Sequence, residues 1–202
     1  MKKEELYNKY CDLILKWNKS ISLTATDCID EIKIKHIEDS KAVLPFIGMA
    51  KTLVDLGSGG GFPGIPIKIE FPQIKVTLVD SKRRKINFLK QAIHELSLKD
   101  IDARQGRAED PVFQKEIGTY DIIISRATWS LSEFLQIAKS YMHKNSKCIA
   151  MKGPRWEEEL KQAEPLLKKL DLSLIKKNSY NLSSGEQRIV LVFESSTLGD
   201  LF

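Results

Sequence analysis

Residues 53–64 constrain the fold of this chain more than any other segment. A short apolar run carrying the acidic Asp55 leads into five glycines between positions 57 and 64. The next apolar run, 76–79, ends in a second carboxylate, Asp80. A strand, a glycine-rich loop, a helix and a second strand that ends in an acid form the unit with which open parallel sheets hold an adenosine-containing cofactor. We therefore expect the glycines to bring the backbone close to a ligand and Asp80 to bind a ribose diol.

The prolines of this loop indicate which cofactor is bound. The pattern Gly-x-Gly-x-x-Gly at Gly59, Gly61 and Gly64 leaves a dinucleotide open. Dinucleotide sites bind a pyrophosphate through free N–H groups at a helix N-terminus, and Pro63 and Pro66 each remove one such donor. First-turn N–H groups have no helical partner, so the helix tolerates both prolines. The loop therefore favours a cofactor without phosphate, of which S-adenosylmethionine is the common one.

Composition sets broad limits on the protein. The 202 residues are 42% hydrophobic and 29% charged, which is ordinary for a single globular domain. No apolar run approaches the roughly 20 residues of a membrane span. The three cysteines are scattered and odd in number, so they imply neither a disulfide framework nor a metal site. We expect a cytoplasmic monomer whose net charge of +5 is compatible with a polyanionic partner.

Apolar runs and helical periodicities alternate along most of the chain. The predicted strands are 52–56, 75–80, 101–105, 121–125, 147–152, 172–177 and 188–194. The predicted helices are 2–18, 30–47, 64–70, 82–97, 130–142 and 155–170. The last two strands follow each other without a helix, so they form an antiparallel hairpin. The sequence predicts an α/β, Rossmann-like sheet of seven strands, mostly parallel with the last strand antiparallel, as in class I S-adenosylmethionine-dependent methyltransferases.

The predicted elements divide the chain at one point. Residues 1–48 form an N-terminal helical extension, and residues 49–202 form the methyltransferase domain as one compact unit. We expect the tail from Ser195 to be disordered.

The segment Ser125–Arg126–Ala127 follows the fourth strand, where methyltransferases place residues that face the reacting atom. The chain has no Asn/Asp-Pro-Pro-aromatic tetrad for amine methylation, and no cysteine nucleophile lies near this segment. The acceptor is therefore one that needs no activation, or one held by a cation. We expect Arg126, with its fixed donor fork, and Lys152, at the end of the fifth strand, to place the substrate.

Other positions are candidates with plain alternatives. Ala108 and Glu109 follow the third strand, where such folds contact adenine, although a solvated turn would look the same. The basic residues Arg84, Lys85, Arg155 and Arg188 are candidates for RNA phosphate contacts.

His36, Asp39 and Ser40 have the residue types of a hydrolase. The chain has no nucleophile elbow, however. We interpret the His-x-x-Asp spacing as a hydrogen bond on a helix surface.

Together these motifs resemble the RsmG family, also called glucose-inhibited division protein B, bacterial methyltransferases of 16S ribosomal RNA. The matching segments are Lys16-Trp17-Asn18-Lys19 with Leu23-Thr24, His36-x-x-Asp39-Ser40, the loop from Asp55 to Pro66, Leu78-Val79-Asp80-Ser81 with Phe88-Leu89, Ser125-Arg126-Ala127, Lys152-Gly153 and Gly185-Glu186-x-Arg188. They extend in order over nearly the whole chain.

The resemblance implies methyl transfer from S-adenosylmethionine to N7 of a guanine in the decoding region of the small ribosomal subunit. It implies these cofactor-side residues: Asp55, Gly57, Gly59, Phe62, Asp80, Ala108, Glu109 and Arg126. Guanine N7 has a lone pair and no proton, so we expect no side chain to be indispensable as a proton carrier. The open alternatives are a methyltransferase of transfer RNA or a small molecule, a nicotinamide oxidoreductase, and an RNA-binding module that holds the cofactor structurally.

Overall fold

The computed structural model describes residues 2–196 and contains one seven-stranded sheet. The strands are β1 (Thr52–Leu56), β2 (Lys75–Asp80), β3 (Ile101–Gln105), β4 (Tyr120–Arg126), β5 (Met142–Lys152), β6 (Leu172–Asn181) and β7 (Gln187–Ser195). Their order is β3-β2-β1-β4-β5-β7-β6, and β7 runs antiparallel to both of its neighbours. The predicted seven strands and reversed last strand are therefore confirmed.

Helices cover both faces of the sheet. They are α1 (Lys3–Asn18), α2 (Ile29–Ile32), α3 (Asp39–Lys41), α4 (Leu44–Ile47), α5 (Gly64–Glu70), α6 (Arg83–Glu95), α7 (Pro111–Ile117), α8 (Leu131–Lys139) and α9 (Trp156–Lys169). Helix α7 was not predicted; only one of its seven side chains, that of Phe113, is buried, so its sequence shows little apolar periodicity. Its start signals are present nevertheless: Pro111 is the first residue, and the Asp110 carboxylate accepts a hydrogen bond from the Val112 N–H at 2.9 Å.

The region 30–47, predicted as one helix, is interrupted in the structure. Residues Lys33–Glu38 form a π-helix between α2 and α3, and Gly48, with a φ of +57°, follows α4. A π-helix has a wider turn than an α-helix and occurs often at functional sites. The apolar periodicity of the sequence does not distinguish the two helix types over one turn.

The core is divided by the sheet into two apolar layers. Leu53 and Val54, neighbours in β1, are fully buried in different layers, because successive strand residues point to opposite faces. One layer contains buried residues of α1, α5 and α6, and the other contains those of α8 and α9. Both faces of β1 are therefore covered.

Several element ends differ from the prediction. Strand β5 begins at Met142 rather than 147, and β6 continues to Asn181 rather than 177, because their polar residues line exposed ends of the strands. The tail from Ser195 was expected to be disordered, but Ser195 belongs to β7 and the Ser196 N–H donates to the Asp171 carbonyl; residues 197–202 lie outside the described residues. None of the helices within residues 2–196 combines the length and apolar character needed to cross a bilayer.

Candidate active site

Of the cavities at the carboxyl ends of the parallel strands, two contain most of the predicted site residues. The first, of about 370 Å³, is called the glycine-loop cavity; it is lined by Gly57, Val79, Asp80, Ser81, Lys82, Lys85, Gly106, Arg107, Ala108, Glu109, Ala127, Thr128 and Trp129. The second, of about 400 Å³, is called the Arg126 cavity; it is lined by Lys35, His36, Asp39, Arg126, Ala127, Met151, Lys152, Gly153, Pro154 and Arg188. Both volumes are within the range of small-molecule sites.

Asp80 lies at the edge of the glycine-loop cavity with its carboxylate fixed by the backbone. Oδ2 accepts a hydrogen bond from the Gly59 N–H at 3.0 Å, and Oδ1 accepts one from the Lys82 N–H at 2.8 Å. The Lys85 ammonium is 3.9 Å from Oδ2. Each carboxylate oxygen can accept a further hydrogen bond, so Asp80 has the capacity to bind the ribose hydroxyls predicted for it.

The walls of this cavity come close because of glycine. Gly57 has a φ of +72°, and a Cβ atom built on it would lie 2.5 Å from Thr128 Oγ1. No other residue fits between the two loops without moving one of them. On the opposite wall, Ala108 is buried and its carbonyl oxygen accepts a hydrogen bond from the Tyr141 hydroxyl at 2.8 Å. The exposed Glu109 side chain is 3.5 Å from the Arg107 guanidinium.

The start of α5 offers no N–H group to a phosphate. The Gly64 N–H donates to Asp55 Oδ2 at 2.9 Å, and the Ile65 N–H donates to the Gly61 carbonyl at 2.8 Å. Pro66 has no N–H, and the Ile67 N–H donates to the Pro63 carbonyl. The first turn therefore lacks the free donors of a pyrophosphate site.

Asp55 is fully buried beneath the glycine loop and does not line either cavity. Its Oδ1 atom is buried without a hydrogen-bond partner among the described residues. Burial raises the pKa of this carboxyl to about 7. The observed contact of Asp55 is with Gly64, so in this structure it fixes the loop to the start of α5.

Arg126, at the end of β4, points toward the N-terminal region. Its Nη1 atom donates to Asp39 Oδ2 at 2.8 Å and to the Lys35 carbonyl at 3.1 Å. Its Nη2 atom is 2.9 Å from His36 Nδ1. The guanidinium carbon is 5.2 Å from the centre of the Phe62 ring, within the range of a cation–π contact. Arg126 therefore joins β4, the glycine loop and the π-helix.

The rings of Phe62, in the glycine loop, and His36, in the π-helix, are stacked on each other. Their ring centroids are 4.8 Å apart at an interplanar angle of 25°. Burial and the charge of Arg126 lower the pKa of His36 to about 3. Because a guanidinium only donates hydrogen bonds, the neutral ring accepts at Nδ1.

Lys152, at the end of β5, is buried, and two of its three ammonium N–H groups have acceptors. Its Nζ atom donates to the Trp129 carbonyl at 2.5 Å and to Glu159 Oε2 at 2.7 Å. The side chain therefore lies in the wall of the Arg126 cavity, with its ammonium held by α9 and the loop before α8.

Ala127 connects the two cavities. It lines both of them and has a φ of +54°, a value that side chains rarely adopt. Strain of this kind clusters at functional sites. The turn leaves Arg126 in one cavity and Thr128 in the other.

The predicted site residues therefore lie in two cavities, apart from a few that line neither. Gly57, Asp80, Ala108 and Glu109 line the glycine-loop cavity, and Arg126 and Lys152 line the Arg126 cavity. Gly59 and Phe62 line neither; Gly59 holds Asp80, and Phe62 packs beneath Arg126.

The basic candidates are separated. Arg84 and Arg155 are exposed, Lys85 lines the glycine-loop cavity and Arg188 lines the Arg126 cavity.

Three residues at this site, His36, Asp39 and Tyr180, were not predicted as functional. Asp39 is buried, and its Oδ1 atom accepts a hydrogen bond from the Tyr180 hydroxyl at 2.6 Å. The expectation of a hydrogen bond on the helix surface is wrong, because His36 and Asp39 both point inward to Arg126. The His-x-x-Asp spacing was the available signal; nothing local marked Tyr180.

Solved structures share this fold. The O-methyltransferase from Bacillus cereus in complex with SAH aligns with a TM-score of 0.68 at 14% identity, covering 93% of this chain and 91% of that one. The M1A22 tRNA methyltransferase TrmK of B. subtilis aligns with a TM-score of 0.62 at 16% identity, covering 78% and 65%. At these identities the likeness shows the fold alone, which is that of the class I methyltransferases.

Sequence relatives are more specific. The ribosomal RNA small subunit methyltransferase G of Lactococcus lactis subsp. lactis (strain IL1403) is 34% identical, covering 93% of this chain and 81% of the relative. The protein of the same name from Clostridium botulinum (strain ATCC 19397 / Type A) is 45% identical, covering 79% and 70%. The family model for GidB, rRNA small subunit methyltransferase G, matches residues 3–190. The chain belongs to the GidB family of small-subunit ribosomal RNA methyltransferases and uses S-adenosylmethionine.

Proposed function

We propose that this protein methylates N7 of a guanine in the decoding region of 16S ribosomal RNA. The observation that carries this proposal is that, among the described residues lining the Arg126 cavity, beside the glycine-loop cavity, the carboxylate and the imidazole are both already paired with Arg126. Membership in the GidB family supports the ribosomal substrate.

The glycine-loop cavity fits S-adenosylmethionine. The Asp80 carboxylate has acceptor capacity for two ribose hydroxyls, and the small side chain of Ala108 leaves room for a flat base. The absence of free N–H groups in the first turn of α5 agrees with a cofactor that has no phosphate. When bound, S-adenosylmethionine supplies a methyl group on a positively charged sulfur.

The titratable groups of the Arg126 cavity are unsuited to general-base catalysis. The Asp39 carboxylate is buried and forms an ion pair with Arg126, and it also accepts a hydrogen bond from Tyr180. His36 Nδ1 is occupied by Arg126, and its low pKa makes the ring a weak base. The Lys152 ammonium donates to Glu159. An acceptor atom with a free lone pair and no proton fits such a site, and guanine N7 is one.

Catalysis at this site rests on placement. Arg126 and Lys152 line the Arg126 cavity, which would hold the acceptor, and this cavity adjoins the glycine-loop cavity at Ala127. Holding an acceptor in line with a reactive carbon accounts for roughly 7–11 kcal/mol of barrier reduction in well-oriented reactions.

We further propose that the substrate is the small ribosomal subunit and that the protein acts in the cytoplasm as a monomer, with residues 1–48 as a helical extension of the methyltransferase domain. The exposed Arg84 and Arg155, together with Lys85 and Arg188, contact RNA phosphates in this proposal. Such contacts position a strand without reading its sequence.

The experiment is transfer of a labelled methyl group from S-adenosylmethionine to small subunits that lack the modification, followed by mapping of the labelled base. Naked 16S RNA and bulk transfer RNA are assayed in parallel. We expect label at N7 of one decoding-region guanine, and preference for the assembled subunit. Label on transfer RNA alone, or at an exocyclic amine, would contradict the proposal.

A further inference from the structure

We propose that Asp39, His36 and Tyr180 are positioning residues that hold the Arg126 guanidinium in the orientation methyl transfer requires. This inference rests on the proposed function and extends the active site to the N-terminal region and to the C-terminal hairpin. None of the three was predicted from the sequence to act in the reaction.

Asp39 is the centre of the arrangement. Its side chain is buried, with Oδ2 at 2.8 Å from Arg126 Nη1 and Oδ1 at 2.6 Å from the Tyr180 hydroxyl. Each carboxylate oxygen therefore fixes one partner. Charge-assisted hydrogen bonds of this length are among the stronger ones in proteins, so the carboxylate joins β4 to β6 through α3.

His36 holds the other side of the guanidinium. Its Nδ1 atom accepts from Arg126 Nη2, and its ring is stacked on Phe62. The stack prevents the imidazole from rotating away, because Phe62 is itself buried and also contacts Tyr10 at 5.3 Å between ring centroids. The neutral state of the ring leaves Nδ1 free to accept.

The π-helix brings these groups together. The Lys35 carbonyl, inside the π-helix, accepts a hydrogen bond from Arg126 at 3.1 Å, and Asp39 follows the last residue of the π-helix directly. A backbone carbonyl has two lone pairs and can accept a side-chain hydrogen bond as well as one within the helix. The π-helix therefore supplies both the Lys35 carbonyl and His36 to Arg126.

Arg126 keeps donors for a ligand. Three of its five N–H groups bond to Asp39, Lys35 and His36, and the described residues provide no hydrogen-bond partner for the other two. Its side chain also lines the Arg126 cavity, where the acceptor would lie. We infer that the three positioning residues fix the guanidinium so that its remaining N–H groups meet an oxygen atom, on the cofactor carboxylate or on the guanine.

The same contacts could serve only to stabilise the fold, so the test must distinguish that role from the positioning of Arg126 for the reaction. The key variants are Asp39→Asn, His36→Gln and Tyr180→Phe, each made in the native chain and in an Arg126→Ala background. The readouts are kcat and KM for small subunits, the Kd for S-adenosylmethionine by calorimetry, and the Tm. The matched control is Tyr7→Phe, which removes another tyrosine–carboxylate bond, to Glu70 at 2.9 Å, away from both cavities.

We expect Asp39→Asn to lower kcat/KM at least about tenfold in the native chain and to have little further effect once Arg126 is alanine, as for coupled residues. Tyr180→Phe is expected to act in the same direction more weakly. Tyr7→Phe should change Tm without changing kcat. A raised Kd for the cofactor would identify its carboxylate as the oxygen atom, and a raised KM for the subunit would identify the guanine.

Equal losses of activity in both backgrounds, in step with Tm, would overturn the inference. Unchanged activity in Asp39→Asn and His36→Gln would overturn it as well. Failure of the native protein to methylate any RNA would instead overturn the proposed function, and this inference with it.

Discussion

Lys152 Nζ lies 2.7 Å from Glu159 Oε2, and this ion pair joins the end of β5 to α9. The Lys152 side chain is 6% exposed. Glu159 Oε2 also accepts a hydrogen bond from the Leu131 N–H at 2.7 Å, at the start of α8. One carboxylate oxygen therefore fixes the lysine and the helix that follows the Ala127 turn.

Replacement of Lys152 by methionine should destabilise the protein. The change leaves Glu159 without its cation, and removing one partner of a largely buried pair costs roughly 3 kcal/mol. Equilibrium urea unfolding of Lys152→Met measures the loss. The double variant Lys152→Met/Glu159→Gln should recover part of it, since glutamine can still accept from Leu131. A single variant as stable as the native protein would show that the pair contributes no net stability.

Replacement of Asp80 by asparagine should weaken cofactor binding. An amide presents one N–H₂ group toward the N–H of Gly59 or Lys82, which disturbs the observed geometry and removes an acceptor for ribose. Hydrogen bonds to charged groups contribute about 1.5–3 kcal/mol, so we expect the Kd for S-adenosylmethionine to rise roughly 10- to 100-fold. Titration calorimetry measures it.

The control for this variant is Asp102→Asn. Asp102 lies in β3, the strand next to β2, but is exposed and paired with Arg104 at 2.9 Å. The Kd of Asp102→Asn for S-adenosylmethionine should match that of the native protein. Equal effects at both positions would assign the change to net charge rather than to the cavity.

The cofactor loop was predictable because its signals are local. Gly57 and Asp80 belong to one strand–loop–helix–strand unit, and each is constrained by neighbours in that unit or at the adjacent strand end. Steric and hydrogen-bonding rules for a glycine loop apply directly to sequence.

The Arg126 contacts were not predictable in this way. Asp39 is 87 positions from Arg126 and 141 positions from Tyr180, and the three meet only when α3, β4 and β6 are packed. The π-helix at Lys33–Glu38 contributes the Lys35 carbonyl and His36 to these contacts. Local periodicity predicts helix there but contains no information on which groups a distant arginine will bind.

Asp55 should make stability depend on pH. Its pKa rises from 3.8 to about 7 on burial, so the folded state binds a proton that the unfolded state has released between these values. Stability contributed by the protonated carboxyl is thus present below about pH 4 and lost as pH rises through about 7. The rise in the pKa of Asp55 corresponds to a loss of at most about 4 kcal/mol in the free energy of unfolding.

The variant Asp55→Asn tests this dependence. Asparagine keeps an acceptor for the Gly64 N–H and places a neutral group at the unpartnered Oδ1 position. We expect the variant to gain stability relative to the native protein between pH 5 and about pH 8. Urea unfolding at pH 5 and at about pH 8 measures the gain. Parallel profiles of stability against pH for the two proteins would refute the assignment of this pH dependence to Asp55.

Replacement of Gly57 by alanine should disturb the cofactor loop for two reasons that can be separated. The φ of +72° strains any side chain, and the added Cβ would lie 2.5 Å from Thr128 Oγ1. Gly118 has a similar φ of +77° but has no atom within 4 Å of an added Cβ. The ψ of Gly118 is −152°, which places it in a region essentially restricted to glycine, so Gly118→Ala measures backbone strain without a steric contact, at about 1–3 kcal/mol.

We expect Gly57→Ala to lose more stability than Gly118→Ala in urea unfolding, and to bind S-adenosylmethionine more weakly, while Gly118→Ala binds it normally. Adding Thr128→Ala to Gly57→Ala should recover part of the stability, because the hydroxyl and methyl groups nearest to the new Cβ are removed. It should not recover all of it, since the φ strain and the close Thr128 Cβ position remain. Equal losses in the two glycine variants would show that the loops separate at little cost and that the narrow gap is not what shapes the cavity.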